Sequence, residues 1–272
     1  MSKIRGSRNR KPYVGRWMLL LCILVVAALL VKVGLRLYDY YQYAEERPIS
    51  WSFNKHSDDT LRVAFIGDSW AAYHASSDTL LQSLLSGDRR PASVTSLGNV
   101  GAKSKEIYQR FFTTSLPLLM QQPDYCVLSA GINDAVAKMG SGYYVHHYLL
   151  MIRLLLQAGI KPVVLEMPEV NYRAIAEREG WLMRIHHRIS ALMTGSEMYS
   201  FDAYRRDLWH ALVENGLKDS VFFVKADAWN PDGYRDGRCL YRADETHLNA
   251  LGYQKLDSCI ASILKAKKVK KK

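Results

Sequence analysis

Acidic residues are missing from both ends of this 272-residue chain. Residues 1–36 hold eight Lys and Arg without an Asp or Glu, and residues 261–272 hold six Lys and no acid. These ends account for 14 of the 37 basic residues. The rest of the chain has 23 bases against 26 acids, so the overall +11 gives way to about −3 in the body. A basic body surface is thereby excluded, and a nucleic-acid partner is not expected. Cysteine is scarce. Four residues are too few for a disulfide framework, although Cys239 and Cys259 could pair in an exported domain. C-x-x-C and H-E-x-x-H spacings are absent. The neighbouring pairs His146-His147 and His186-His187 would point to different faces of a helix, so neither a metal site nor a cofactor is expected. Internal repeats are lacking, and the lysine-rich end is the one biased segment.

Long hydrophobic runs are also lacking, with one exception. Trp17 to Val31 (WMLLLCILVVAALLV) is 15 residues without a charge, and if Lys32 snorkels the stretch extends through Leu35 to 19 residues. About 20 residues cross a bilayer. Six basic residues precede the run, which predicts a single-pass anchor with the N-terminus inside and the remainder periplasmic or extracellular. A cleaved signal peptide is the rival reading, but no convincing small-x-small site precedes the next charged residues. The expected organisation is a basic cytoplasmic tail at 1–16, the anchor at 17–36, an aromatic and polar linker at 37–60, one globular domain at 61–265 and a lysine-rich tail at 266–272.

Within the domain, short apolar runs alternate with longer amphipathic segments. LRVAFIG (61–67), ASVTSLG (92–98), YCVLSAG (125–131), KPVVLEM (161–167) and SVFFVK (220–225) read as strands. Helical spacing covers segments near 77–86, 103–120, 142–158, 172–194, 203–215 and 248–265. This alternation predicts an α/β fold with a mostly parallel sheet covered on both faces, with ligands bound beyond the C-terminal strand ends.

The polar clusters fall at those ends. Ser69 follows the first run, GNVGAKS (98–104) the second and Gly131-Ile132-Asn133-Asp134 the third, while Asp244-Glu245-Thr246-His247 stands before the last helix. A serine hydroxyl becomes a nucleophile when a neighbouring base takes its proton. An imidazole, which titrates near ~6.5 in isolation, suits that task, making His247 the candidate base. Asp244, three residues earlier, can fix its tautomer. Negative charge developing on an attacked carbonyl needs donors already in place, and the Ser69 N–H, a glycine N–H from 98–101 and the Asn133 amide are available. Asp134 reads as a brace for the Asn133 loop. Read singly, Asp68-Ser69 could be no more than a helix cap and His247 an ordinary surface histidine. The order of the clusters and their common placement argue against that.

The stretches FIGDSW, LGNVGAKS, SAGIND and DETHLNALGY, in this order over roughly residues 61–265, resemble the SGNH (GDSL-type) hydrolases. The resemblance implies a three-layer α/β/α, flavodoxin-like fold. It also implies Ser69 as nucleophile, Asp244 and His247 completing the triad, and Gly101 and Asn133 joining the Ser69 N–H in the oxyanion hole. Leucine usually follows GDS in the family, and here the residue is Trp70. The glycine block is loose, and register favours Gly101 over Gly98. GDSWA also lies one residue from the G-x-S-x-G elbow of another hydrolase fold, but that elbow comes late in its chain.

These readings imply a membrane-anchored serine esterase that removes small acyl groups, acetyl first among them, from an exported cell-envelope carbohydrate. An O-acetyltransferase acting on an exported glycan and an inactive glycan-binding module are the alternatives. Trp70, Tyr73, His74 and Tyr143 are candidate substrate contacts. The loops at 139–148 (MGSGYYVHHY) and 227–239 (DAWNPDGYRDGRC) set aromatics beside hydrogen-bonding groups, a composition that suits sugars.

Overall fold

The computed structural model describes residues 14–269 apart from 50, 52, 54–56, 88–89 and 199. Most of the basic N-terminal tail and the last three lysines therefore lie outside the described residues. The chain divides into two compact units, Met1–Gln42 and Tyr43–Lys272.

The first unit is helix α1 (Val14–Tyr41). Its stretch Trp17–Tyr41 has a mean hydropathy of 2.9 and buries no side chain in its most apolar window, so it is long and apolar enough to cross a membrane. The helix runs five residues past the predicted anchor, because Leu37 to Tyr41 contain neither Gly nor Pro to stop it.

The second unit is built on five parallel strands: β1 (Leu61–Gly67), β2 (Ala92–Gly98), β3 (Tyr125–Ser129), β4 (Lys161–Leu165) and β5 (Phe222–Val224). Their order is β2-β1-β3-β4-β5, the doubly wound arrangement expected. β3 is buried along its whole length and β1 at every position but Arg62, which is why both read as apolar runs. The helices are α2 (Ser69–His74), α3 (Asp78–Leu85), α4 (Ser104–Arg110), α5 (Leu116–Met120), α6 (Ile132–Val136), α7 (Ser141–Gln157), α8 (Tyr172–Arg178), α9 (Trp181–Thr194), α10 (Asp202–Glu214), α11 (Gly233–Asp236) and α12 (Ala250–Val269). α3 packs on α12, and α7 packs on α4 and α10, so the sheet is covered on both faces. Gly67 pairs with Gly98 of β2 and Ser129 of β3, which brings three strand ends to one level.

Several sequence expectations change. The segment 103–120 is two helices, with Pro117 in the first turn of the second. The segment 172–194 breaks at Gly180. The 139–148 stretch is not an open loop. It begins α7, and Tyr143, Tyr144, His147 and Tyr148 are buried there. The 37–60 linker is not free either. Ala44 donates its N–H to His147 Nε2 (2.9 Å) while its carbonyl meets His146 Nε2 (2.7 Å), and the Arg47 N–H reaches Tyr108 Oη (2.9 Å). All four cysteines are free, so Cys239 and Cys259 do not pair.

Candidate active site

Three polar residues line up at the C-terminal edge of the sheet. Ser69 opens α2 immediately after β1, and its Oγ lies 2.8 Å from His247 Nε2. His247 Nδ1 lies 2.7 Å from Asp244 Oδ2. Ser69 is buried to 7% exposure, whereas the His247 and Asp244 side chains are 17% and 37% exposed, so the chain of hydrogen bonds runs from inside outward.

The Asp244–His247 loop is held by its own backbone first. Asp244 Oδ1 accepts the N–H groups of Thr246 (3.0 Å) and His247 (2.9 Å), and Glu245 takes a left-handed φ of 54° to close the turn. Such a conformation costs a non-glycine residue about 1 kcal/mol or more and persists where surrounding bonds enforce it. Those bonds are present. Asn171 donates its N–H to the Glu245 carbonyl (3.1 Å) and its Nδ2 to Glu245 Oε2 (2.5 Å). Arg178 Nη2 donates to the Asp244 carbonyl (2.7 Å), and the Arg242 N–H to the His247 carbonyl (2.7 Å). Burial raises the Asp244 pKa, but the His247 and Thr246 donors outweigh it and hold the carboxyl below its ordinary value. It therefore stays ionised at neutral pH, and with the Nδ1 proton engaged His247 turns a lone pair on Nε2 toward Ser69.

Ser69 is positioned from behind. Asp68 Oδ1 accepts the Trp70 N–H (2.9 Å) and the Ser129 hydroxyl (2.8 Å), tying the start of α2 to the end of β3. Burial lifts the Asp68 pKa to about 6, against the pull of those donors. Gly98 permits close packing, since a Cβ there would come within 2.0 Å of the Ala72 nitrogen and 2.3 Å of the Asp68 carbonyl oxygen. That leaves no room for a ligand. Gly101 is the opposite case, with φ of 79°, open space where a Cβ would stand, and an N–H that no acceptor takes among the described residues. Asn133 Nδ2 donates one proton to the Ala102 carbonyl (2.9 Å), which aims the amide toward the same loop. Asp134 accepts the Ser104 hydroxyl (2.6 Å) and N–H (2.9 Å), joining the two loops, and its burial lifts it to about 7.

The candidate substrate contacts divide. Tyr73 lies at the site, its ring edge-on to His247 at 4.7 Å and beneath the Arg242 guanidinium at 4.4 Å. His74 does not: it is fully buried between Asp257 (2.7 Å) and Asp78 (3.0 Å), and every ring nitrogen is engaged. Trp70 is 2% exposed and packs on Trp229 behind the strand end. Tyr143 is 3% exposed and packs on Tyr43 and His147. Proximity in sequence and composition point these three at the cleft, but neither reports the direction of a side chain. Sequence reasoning also missed Asn171, Arg178, Arg242 and Ser129, which hold the site through backbone and side-chain bonds that leave no motif.

A cavity of about 660 Å³ is lined by Asn171, Arg173, Arg205, Tyr234, Arg235 and Arg238 among others. Ser69, Asp244 and His247 do not line it, and Asn171, which bonds Glu245, links it to the acid–base loop. The 227–239 segment contributes Tyr234, Arg235 and Arg238 to the cavity.

A hydroxyl, an imidazole and a carboxylate in series at the C-terminal edge of a parallel sheet define an α/β enzyme of the hydrolytic class. Residues 65–255 match the GDSL-like Lipase/Acylhydrolase family, and the chain belongs to that family. In fold it is similar to the lipase/acylhydrolase from Enterococcus faecalis (16% identity, TM-score 0.52, covering 76% of this chain and 96% of that one). It is similar to TesA (16%, 0.52, 75% and 98%) and to a GDSL-like lipase from Bacteroides thetaiotaomicron VPI-5482 (16%, 0.50, 76% and 89%). Comparison with curated proteins by sequence gives no match.

Proposed function

We propose that this chain is a membrane-anchored serine esterase that cleaves small acyl esters from an exported carbohydrate. Ser69 Oγ attacks the ester carbonyl while His247 Nε2 takes its proton, and Asp244 stabilises the imidazolium that forms. The Ser69 and Gly101 N–H groups and the free Asn133 N–H stabilise the oxyanion. His247 then protonates the departing sugar oxygen, and water releases the acyl group from Ser69 by the same steps in reverse. The observation that carries this reading is the unbroken hydrogen-bond series Ser69–His247–Asp244, at 2.8 and 2.7 Å.

The substrate class rests on two supports. The cavity behind Asn171 is polar, with arginine, asparagine and tyrosine lining it, and these groups suit sugar hydroxyls. The apolar helix α1, taken as an uncleaved anchor, would hold the enzyme where envelope polymers are made. Purified full-length chain should hydrolyse p-nitrophenyl acetate, and Ser69→Ala should lower kcat by about 10⁴-fold or more. Equal rates would end the proposal. Sugar acceptors that become acetylated at the expense of hydrolysis would move the assignment to an O-acetyltransferase.

A further inference from the structure

Helix α9 (Trp181–Thr194, WLMRIHHRISALMT) is amphipathic in the reverse sense. The residues it buries are His187, Ser190 and Ala191. Trp181, Leu182, Ile185, Ile189, Leu192 and Met193 are all exposed, from 47% for Ile185 to 86% for Leu192. At about 100° per residue these six fall within a stripe roughly 120° wide, centred opposite the buried residues. Single exposed hydrophobic residues are ordinary, but a continuous stripe on one helix face needs an occupant.

Charge identifies that occupant. α9 contains no Asp or Glu, and Arg184 and Arg188 lie along one border of the stripe, both exposed. A Trp, Leu and Ile face edged by arginines is the pattern of a helix lying in the plane of a bilayer, about 5–10 Å into the headgroup boundary. A self-complementary dimer face gains nothing from two arginines set beside their own symmetry mates.

We infer that α9 docks on a lipid bilayer containing anionic headgroups. The inference rests on the anchored part of the proposed function, since a chain held by α1 meets such a surface at high effective concentration. Binding would bear on the reaction site as well, because Arg178, three residues before α9, holds the Asp244 carbonyl.

The test uses the full chain reconstituted into vesicles of phosphatidylcholine and phosphatidylglycerol, in a Cys22→Ser, Cys239→Ser background. An environment-sensitive fluorophore is attached at Ile185→Cys, with Leu24→Cys in α1 and Val213→Cys on the exposed side of α10 as references. The label at 185 should be quenched by lipids carrying a nitroxide on the acyl chain and shielded from aqueous iodide, with the label at 213 behaving in the opposite way. Arg184→Glu with Arg188→Glu should restore iodide access at 185. Iodide quenching at 185 equal to that at 213 would overturn the inference, as would lipid-independent excimer formation between labels at 185, which marks a second copy. Lipid quenching at 24 reports the anchor separately, so loss of the signal at 185 alone refutes the α9 docking and leaves the anchor standing.

Discussion

At the scale of single residues, protons decide what the site can do. Asp244 is held ionised by the donors around it, and Asp244→Asn would present Nδ1 of His247 with an amide, favouring the wrong tautomer. A fall in kcat of about 10⁴-fold with little change in KM is expected. Asn133→Ala removes one oxyanion donor and should lower kcat by about 10²–10³-fold. Steady-state kinetics on p-nitrophenyl acetate checks both.

His147 supplies a residue-scale prediction away from the site. Its Nε2 accepts the Ala44 N–H and its Nδ1–H donates to the Tyr143 carbonyl (2.7 Å), so the ring is held neutral. Burial lowers its pKa to about 3, helped by the His146 and Lys105 charges. Because the folded value lies below the unfolded one, the unfolded chain binds more protons between them. The stabilisation is complete above about pH 6.5 and is lost as pH falls toward 3. Asp68 and Asp134 act in the opposite direction, since their pKa values of about 6 and 7 exceed the unfolded carboxyl value and ionising them costs stability as pH rises. Comparing wild type with His147→Gln isolates the histidine: its stability advantage in urea unfolding should shrink by up to about 2 kcal/mol between pH 7 and pH 5.

At the scale of elements, the serine and the histidine are brought together by helices that follow them. α2 begins at Ser69, and α12 starts three residues after His247. Tyr253 of α12 donates to the Trp70 carbonyl (2.8 Å), and Asp257 of α12 accepts from His74 of α2 (2.7 Å). Burial lowers the His74 pKa, but Asp257 and Asp78 outweigh it and raise the value, so below the ordinary histidine value the ring is an imidazolium between these two acids. That pair stabilises fully below the unfolded histidine value and is lost as pH climbs through the raised one. Asp257→Ala leaves a buried cation short of its partner and should cost about 3–5 kcal/mol of stability, measured by denaturant unfolding at pH 6.

The elements also show what was legible in the sequence. The central strands are readable because a doubly covered parallel sheet demands apolar runs, the edge strand β2 because it alternates buried and exposed residues, and Ser69, Gly101 and Asn133 because they follow strand ends. His74 and Tyr143 were misplaced for one reason. A helix turns a side chain about 100° per residue, so nearness to Ser69 or an aromatic-rich composition does not say which residues face a cleft. Asn171 and Arg178 act from an excursion between β4 and α10, more than 60 residues before the loop they hold, and pairing across that distance is written only in the folded chain.

At the scale of the whole molecule, the globular unit begins at Tyr43 and not at 61. The segment that follows α1 contributes the Ala44 and Arg47 hydrogen bonds and sets Trp51 against Phe112 at 5.7 Å. A chain starting at residue 43 should retain the stability of this unit. One starting at residue 57 loses the part-buried Ala44, Glu45 and Arg47 hydrogen bonds and the Tyr43 and Trp51 ring contacts, about 2–4 kcal/mol, and its Tm should fall by roughly 5–15 °C. Equal melting temperatures would show the segment to be a passive tether.

The central claim is that the loops after β1, β2 and β3, with the loop before α12, make Ser69 reactive through His247. The most direct measurement is treatment of the full chain with a fluorophosphonate, followed by peptide mass mapping. The account predicts one adduct, on the peptide carrying Ser69, and its loss in His247→Ala. Labelling at another residue, or unchanged labelling of Ser69 without the histidine, would contradict it.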